Sequence, residues 1–472
     1  NGPDFVTGVY ACSKLGAVET PINWQYRERE VRHAIESAGI STVVVEPADD
    51  RLDVLTSAAG EESPIERVIA TGDHRFSELE ALDSVDAHLL DGLTAEADAS
   101  PPDVDVGTDD PVAILYTSGT TGLPKPAVLS NRSFLLGAKS FVGMPFPDDD
   151  VHYNPYPLFH ANNQVYSMLG SAVRGVEYVL ADAFSASAFV DHAVDYGVRS
   201  FNIIGGVPKM LDATYAADEV PDTDLELAIG PIATGVWEAF EAKFDLTVLQ
   251  LYSQTESLTV LANHPDPEQV RVGSVGKPMF PDLGHEAWVE DEAGNELGPG
   301  ERGELVRSDP GAMIGYRDLP EKTRETLRDG VVYSGDVVYR DEDGYVYYVD
   351  RKKFMVRRAG ENISAQEVED VIGELDGVSE SAVIPAPDEI RGEEVKALVM
   401  RTDEGLTERD VVLQVGRTLA PYKVPRYVEF VESFPRTPTE RIRRVALADE
   451  EEERDDHGWD REAEFPEWGE EI

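Results

Sequence analysis

Helix-spaced apolar positions alternating with short runs of branched aliphatics constrain this chain more than any other feature. "FVTGVYACSKLGAV" (5–18) and "EREVRHAIESAG" (28–39) carry the helical period, the second stopping at Gly39, and "STVVVEP" (41–47) reads as a short buried strand. The alternation returns in "SASAFVDHAVDYGVRSFNIIGGVP" (185–208) and "ELAIGPIATGVWEAFEAKFDLTVLQLYSQTES" (226–257). Strands of this kind are buried on both faces, which predicts parallel sheets covered by helices. Past residue 300 the texture becomes strand and turn, as in "GVVYSGDVVYRDEDGYVYYVDRKK".

The expected fold class is therefore α/β: a large N-terminal domain of helix-covered sheets (1–349) and a small C-terminal α+β domain (350–448). The second rests on "AQEVEDVIGELDGV", "SESAVIPAP", "EEVKALVMR", "ERDVVLQVGRTLA" and "RYVEFVESF", which read helix, strand, strand, helix, strand. From Asp449 the tail "DEEEERDDHGWDREAEFPEWGEEI" is so acidic and so poor in apolar periodicity that it predicts disorder.

Charge and composition narrow the function classes. With 92 Asp and Glu against 41 Lys and Arg, the net charge of −51 repels polyanions, which argues against nucleic acid and anionic membranes as partners. The acid excess runs along the whole chain with Lys scarce beside Arg, resembling proteins kept soluble in concentrated intracellular salt, as in a halophile. No apolar run is long enough to span a bilayer and no secretory leader pattern opens the chain, so a soluble protein without integral membrane contact is expected. Cys12 is the sole cysteine, which excludes an intrachain disulfide and thiolate-rich metal sites and suits a reducing cytoplasm. The chain starts at Asn1 rather than at Met, which suggests that an upstream segment is missing.

"YTSGTTGLPKPA" (116–127) follows the strand-like "VAILY" and combines hydroxyls, two glycines and Lys125. Glycines let backbone approach phosphates, while N–H groups, hydroxyls and one ammonium offset oxyanion charge. The Walker A loop is excluded, because Lys125 sits between Pro124 and Pro126 rather than before Ser or Thr.

The string resembles the phosphate loop of the adenylate-forming (AMP-binding) superfamily of acyl-CoA synthetases, luciferases and adenylation domains. Further stretches resemble that family in its order: "PLFH" (157–160), "YSQTES" (252–257), "YSGD" (333–336), "DRKKFMVRRAGENIS" (350–364) and "PRTPTERIRR" (435–444). The resemblance runs from residue 2 to about 448 and implies an acyl-CoA synthetase-like fold. It also implies ATP, Mg2+ and coenzyme A as cofactors, a small carboxylic acid as substrate, and allows a homodimer. In it Thr117, Ser118, Gly119, Thr120, Thr121, Gly122 and Lys125 hold the β- and γ-phosphates, Glu256 ligates Mg2+, and Thr255 meets the α-phosphate. Tyr252 and Gly230 border adenine, Asp336 and Arg351 bind ribose, and His160 gates the acyl pocket. The resemblance also implies that the C-terminal domain swings about Lys353, with Gly360 and Glu361 lining a pantetheine tunnel and Arg358 meeting a coenzyme A phosphate.

Departures matter as much as matches. The family ends its last motif in a Lys that bridges substrate carboxylate and α-phosphate, whereas here Glu440 and Arg441 replace Gly-Lys. Arg keeps the charge but spreads it over a planar fork. The expected activity is thus an AMP-forming acid–thiol ligase, attenuated if Arg441 fits poorly. The alternative is a nucleotide-binding homologue with weak or no catalysis.

Overall fold

The computed structural model describes residues 1–58, 63–82, 84–117, 124–204, 207–216, 220–232, 234–264, 266, 269–359, 361–388, 390–436, 441–454 and 456–470. Within these, the predicted alternation yields two parallel sheets. Strands Thr42–Val45, Arg67–Ala70 and Asp86–Leu89 lie side by side, and a second set runs in the order Thr247–Leu249, Leu227–Ile229, Ser200–Asn202, Val151–Asn154, Glu177–Leu180. Helix Thr234–Phe244 covers the second set with Trp237, Phe240 and Phe244, all buried against Phe189 and Phe201.

Gly230 closes the strand Leu227–Ile229 at φ +140°, and a Cβ there would lie 2.0 Å from the Ile203 carbonyl oxygen. Only glycine allows two neighbouring strands to end that close together.

An antiparallel sheet carries the later part of the large domain, in the order Leu251–Gln254, Ser257–Ala262, Ser274–Pro278, Val346–Arg351, Val331–Arg340, Gly303–Ser308, Glu286–Glu290. Strand Pro111–Thr117 pairs with Lys125–Ser130, which in turn pairs with Gly315–Tyr316.

The small domain is a six-stranded sheet from Met355 to Asp460, with helices Ala365–Ile372 and Glu408–Thr418 around a core of Val356, Val368, Val395, Val411 and Val428. Buried Asp350 joins the domains by accepting hydrogen bonds from the Ser364 hydroxyl and the Gln366 N–H. Lys352 also pairs with Glu304 at 2.9 Å.

The expectation of a disordered tail is corrected. Helix Arg444–Glu452 is followed by strand Trp459–Asp460, which pairs antiparallel with Tyr427–Phe430, and by helix Arg461–Glu464. Phe465 is fully buried in the small domain's core, a burial that contributes about 1.5–3 kcal/mol. The acid excess is met locally: Glu451 is buried against Lys396 at 2.6 Å, and Asp460 accepts from Arg426 at 3.1 Å.

Candidate active site

Strand register puts Thr117 opposite Lys125, at the two ends of the phosphate-loop string. Ser118, Gly119, Thr120, Thr121 and Gly122 lie outside the described residues. Thr117 Oγ1 is buried and makes no hydrogen bond among the described residues, leaving it open to an external donor or acceptor. Lys125 Nζ donates to the Tyr316 hydroxyl at 2.8 Å and lies 4.1 Å from the centre of the same ring. Burial lowers the Lys125 ammonium pKa, while Glu256 acts to raise it.

Glu256 stands at the tip of a tight hairpin. Gln254 pairs with Ser257, so Thr255 and Glu256 form a two-residue turn between strands Leu251–Gln254 and Ser257–Ala262. Glu256 Oε1 accepts from the Tyr316 hydroxyl at 2.6 Å. The sequence analysis missed Tyr316. Its string "GAMIGYRD" carries no charge pattern that marks a site, and only the hydrogen bonds on both sides of its phenol reveal it.

Strand pairing brings the ribose-binding candidates together. Asp336 is fully buried directly opposite Arg351, and its Oδ1 lies 2.6 Å from Arg351 Nε without an aligned hydrogen bond. Asp336 Oδ2 accepts from the Tyr252 hydroxyl at 2.5 Å and from Gln254 Nε2 at 3.2 Å. Burial raises the Asp336 pKa, opposed by Arg351 and the Tyr252 hydroxyl. One carboxylate oxygen thus fixes the Tyr252 ring and the other keeps capacity for a diol. Beneath Tyr252 lies Arg307, fully buried, 5.5 Å from the ring centre, and bonded to the Thr259 carbonyl. Sequence reasoning missed this residue too, since an Arg inside a strand reads as surface.

His160 follows the turn Pro157–His160, its Nε2 buried and without a hydrogen bond among the described residues. Burial first and Arg441 second push its pKa down to about 4, so the imidazole is neutral at pH 7.

The four arginines of "SFPRTPTERIRR" go different ways. Arg436 pairs with Glu380, and Arg444 donates to Glu369 and Gln366. Arg443 is exposed. The Arg441 charge acts to lower the pKa values of Tyr156 and His160, while Arg351 and Arg444 act to lower its own and Tyr348 and Asp336 to raise it. Desolvation lowers the Arg441 pKa, with Arg351 adding to the effect. Residues 437–440, Glu440 among them, lie outside the described residues.

The thiol-side candidates are not brought to this cluster. Arg358 Nε bonds to buried Glu394 at 2.7 Å, and Glu361 faces Arg358 across the hairpin Met355–Arg358 and Glu361–Ser364. Gly360 lies outside the described residues, and Lys353 sits in the short turn Lys352–Phe354.

A strand-borne ammonium at Lys125, a hairpin-tip carboxylate at Glu256, a buried Asp336 opposite Arg351 and a neutral His160 make up the candidate site. Comparison with known proteins shows the family. Residues 1–317 match the model for AMP-binding enzymes, and 367–441 match the AMP-binding enzyme C-terminal domain. The chain belongs to the AMP-binding enzyme family.

Among its relatives, the fatty acid–[acyl-carrier-protein] ligase ScoC of Streptomyces coeruleorubidus is 33% identical over 451 residues, covering 93% of this chain and 83% of that protein. A feruloyl-CoA synthase of Amycolatopsis is also 33% identical, covering 94% of this chain and 85% of its own. Among solved structures, ATP-bound MatB from Rhodopseudomonas palustris aligns with a TM-score of 0.81 at 28% identity, covering 96% and 87% of the two chains.

Proposed function

We propose that this chain is an ATP-dependent acyl-CoA synthetase that activates a small or medium carboxylic acid as its acyl-AMP and transfers it to coenzyme A. The observation that carries the proposal is the buried cluster in which Asp336 accepts from the Tyr252 hydroxyl and lies opposite Arg351, in a chain that belongs to the AMP-binding enzyme family. Of the relatives named above, both support acid activation, and the feruloyl-CoA synthase also supports coenzyme A as acceptor, whereas ScoC is a ligase for an acyl-carrier protein.

In the first half-reaction a carboxylate oxygen of the acid attacks the α-phosphorus of ATP, and the bond to the oxygen bridging the α- and β-phosphorus breaks to release pyrophosphate. In the second, the coenzyme A sulfur attacks the acyl carbon and AMP leaves. Chemistry of this kind relies on positioning and charge neutralisation. Arg441 meets the charge shared between the incoming carboxylate and the α-phosphate, and Lys125 with Thr117 and the rest of the phosphate loop holds the leaving phosphates. Tyr252, Asp336 and Arg351 hold the nucleoside, and Thr255 at the hairpin tip meets the α-phosphate. The uncommitted Nε2 of neutral His160 suits a hydrogen bond to the acid.

Glu256 is the carboxylate suited to hold Mg2+, whose usual coordination is one or two carboxylates completed by substrate phosphates. The bound cation would neutralise charge on the leaving pyrophosphate. Arg358, Gly360 and Glu361 are assigned to the thiol after rotation of the small domain about Lys353.

The test is product analysis in molar KCl with ATP, Mg2+ and a panel of acids, with coenzyme A as acceptor. AMP and pyrophosphate formed only with acid and coenzyme A support the proposal. ADP formation, or ATP turnover indifferent to acid, sinks it.

We also place the protein in a reducing, salt-rich cytoplasm, on its single cysteine and its net charge of −51. Among the described residues no helix is long and apolar enough to cross a membrane. Salt screens self-repulsion, so the thermal midpoint is expected to rise by more than about 10 °C between 0.1 M and 2 M KCl. An unchanged midpoint would refute the salt adaptation without touching the ligase assignment.

A further inference from the structure

Lys125 and Glu256 carry opposite charges that are needed by different partners: the ammonium by phosphate oxygens, the carboxylate by a cation. Left adjacent, two such groups close into an ion pair that neutralises both. In this fold a phenol stands between them. Lys125 Nζ donates to Tyr316 Oη at 2.8 Å, and Tyr316 Oη donates to Glu256 Oε1 at 2.6 Å.

The spacer is rigid. Tyr316 is 5% exposed, packs with Leu115, Ala127 and Leu258, and pairs with Ala127 on the strand that begins at Lys125. Its backbone N–H is fixed by Thr323 Oγ1 at 2.9 Å, and its ring supports the Lys125 ammonium from below. The Glu256 end is fixed as well, since the Glu256 carbonyl accepts the Met313 N–H at 2.9 Å, three residues before Tyr316.

We propose that Tyr316 is a positioning residue that keeps the phosphate-binding Lys125 and the cation-binding Glu256 one hydroxyl apart, so that both charges stay available to ATP and its metal. This rests on the synthetase assignment for the roles of the two charges, but the separation itself is a property of the site. In this role Tyr316 acts through Lys125 and Glu256, the two groups its hydroxyl holds. Removing its hydroxyl lets Lys125 close onto Glu256, and ATP must then break that pair to bind.

The test is Tyr316→Phe, which keeps the ring and its packing. A lost charge-assisted hydrogen bond on each side predicts that the KM for ATP and the Mg2+ half-saturation each rise about tenfold. Conversion of supplied acyl-AMP to acyl-CoA should stay within about twofold of the parent, because that half-reaction uses neither group for phosphate binding. Equal losses in both half-reactions, or no rise in either constant, would overturn the proposal.

A second measurement needs no turnover and separates this proposal from the enzymatic one. Magnesium-free ATP binding is followed by calorimetry in the parent, Tyr316→Phe, Glu256→Gln and the double variant. Removing the Glu256 charge should improve binding several-fold more in the Tyr316→Phe background than in the parent, because there it also releases Lys125. Additive effects would overturn the spacer role even in an active enzyme. If the parent binds ATP but turns over no acid, the synthetase assignment falls and the binding cycle still decides Tyr316.

Discussion

Asp336→Ala is expected to raise the KM for ATP on the order of 100-fold, which corresponds to losing one to two charge-assisted hydrogen bonds. The carboxylate is fully buried, fixes the Tyr252 hydroxyl through Oδ2 and faces Arg351 through Oδ1, so in the proposed assignment its removal strikes both the adenine platform and the ribose contact. Arg351 is 39% exposed and can turn to water, which limits the accompanying loss of stability to about 1–2 kcal/mol. Asp336→Asn should fall between parent and Ala, since it keeps one acceptor oxygen but loses the charge. Steady-state kinetics in ATP with a thermal melt beside them check this. An unchanged KM with a large drop in melting temperature would make Asp336 a structural residue only.

Arg441→Ala is expected to slow acyl-AMP formation by about 100- to 1000-fold, the usual effect of deleting a group that meets charge developing in the transition state. A thermal melt beside it shows how far the variant also changes stability. Single-turnover measurement of each half-reaction separates the effects: acyl transfer from supplied acyl-AMP should survive when acyl-AMP formation does not. Loss of both halves together would assign Arg441 to holding the domains rather than to the chemistry. Arg441→Lys restores the compact ammonium, and whether it gains or loses rate measures how far the cleft has adapted to the guanidinium.

The alternation of helical and aliphatic segments was enough to read parallel sheets from the sequence, because such strands betray themselves by apolar content alone. Glu256 was legible only through the resemblance of its string to the family motif; its place at a hairpin tip came from the pairing of Gln254 with Ser257 in the structure. Long-range partners were illegible. Tyr316 matters because strand Gly315–Tyr316 lies beside Lys125–Ser130, a pairing across some 190 positions that no local pattern records. Arg307 was hidden for the opposite reason, its charge arguing for a surface when burial beneath Tyr252 was the outcome.

The tail misled through its composition. Counted alone, residues 449–472 lack the apolar content to fold, but Trp459, Phe465 and Trp468 complete a core that other segments begin. Cations at Lys396, Arg391 and Arg426 wait there for the tail's acids. Composition rules describe segments in isolation, and this one folds as the last strand of an existing sheet.

Acid-dependent exchange of labelled pyrophosphate into ATP is the most direct measurement of the central claim, that Arg441 completes an adenylating site between the two domains. It reports the first half-reaction without coenzyme A and is run in molar KCl on the parent and Arg441→Lys. Exchange by the parent that requires both acid and Mg2+ is the predicted result. ATP binding without exchange in either form, across every acid tried, would contradict it and leave a nucleotide-binding protein with a synthetase fold.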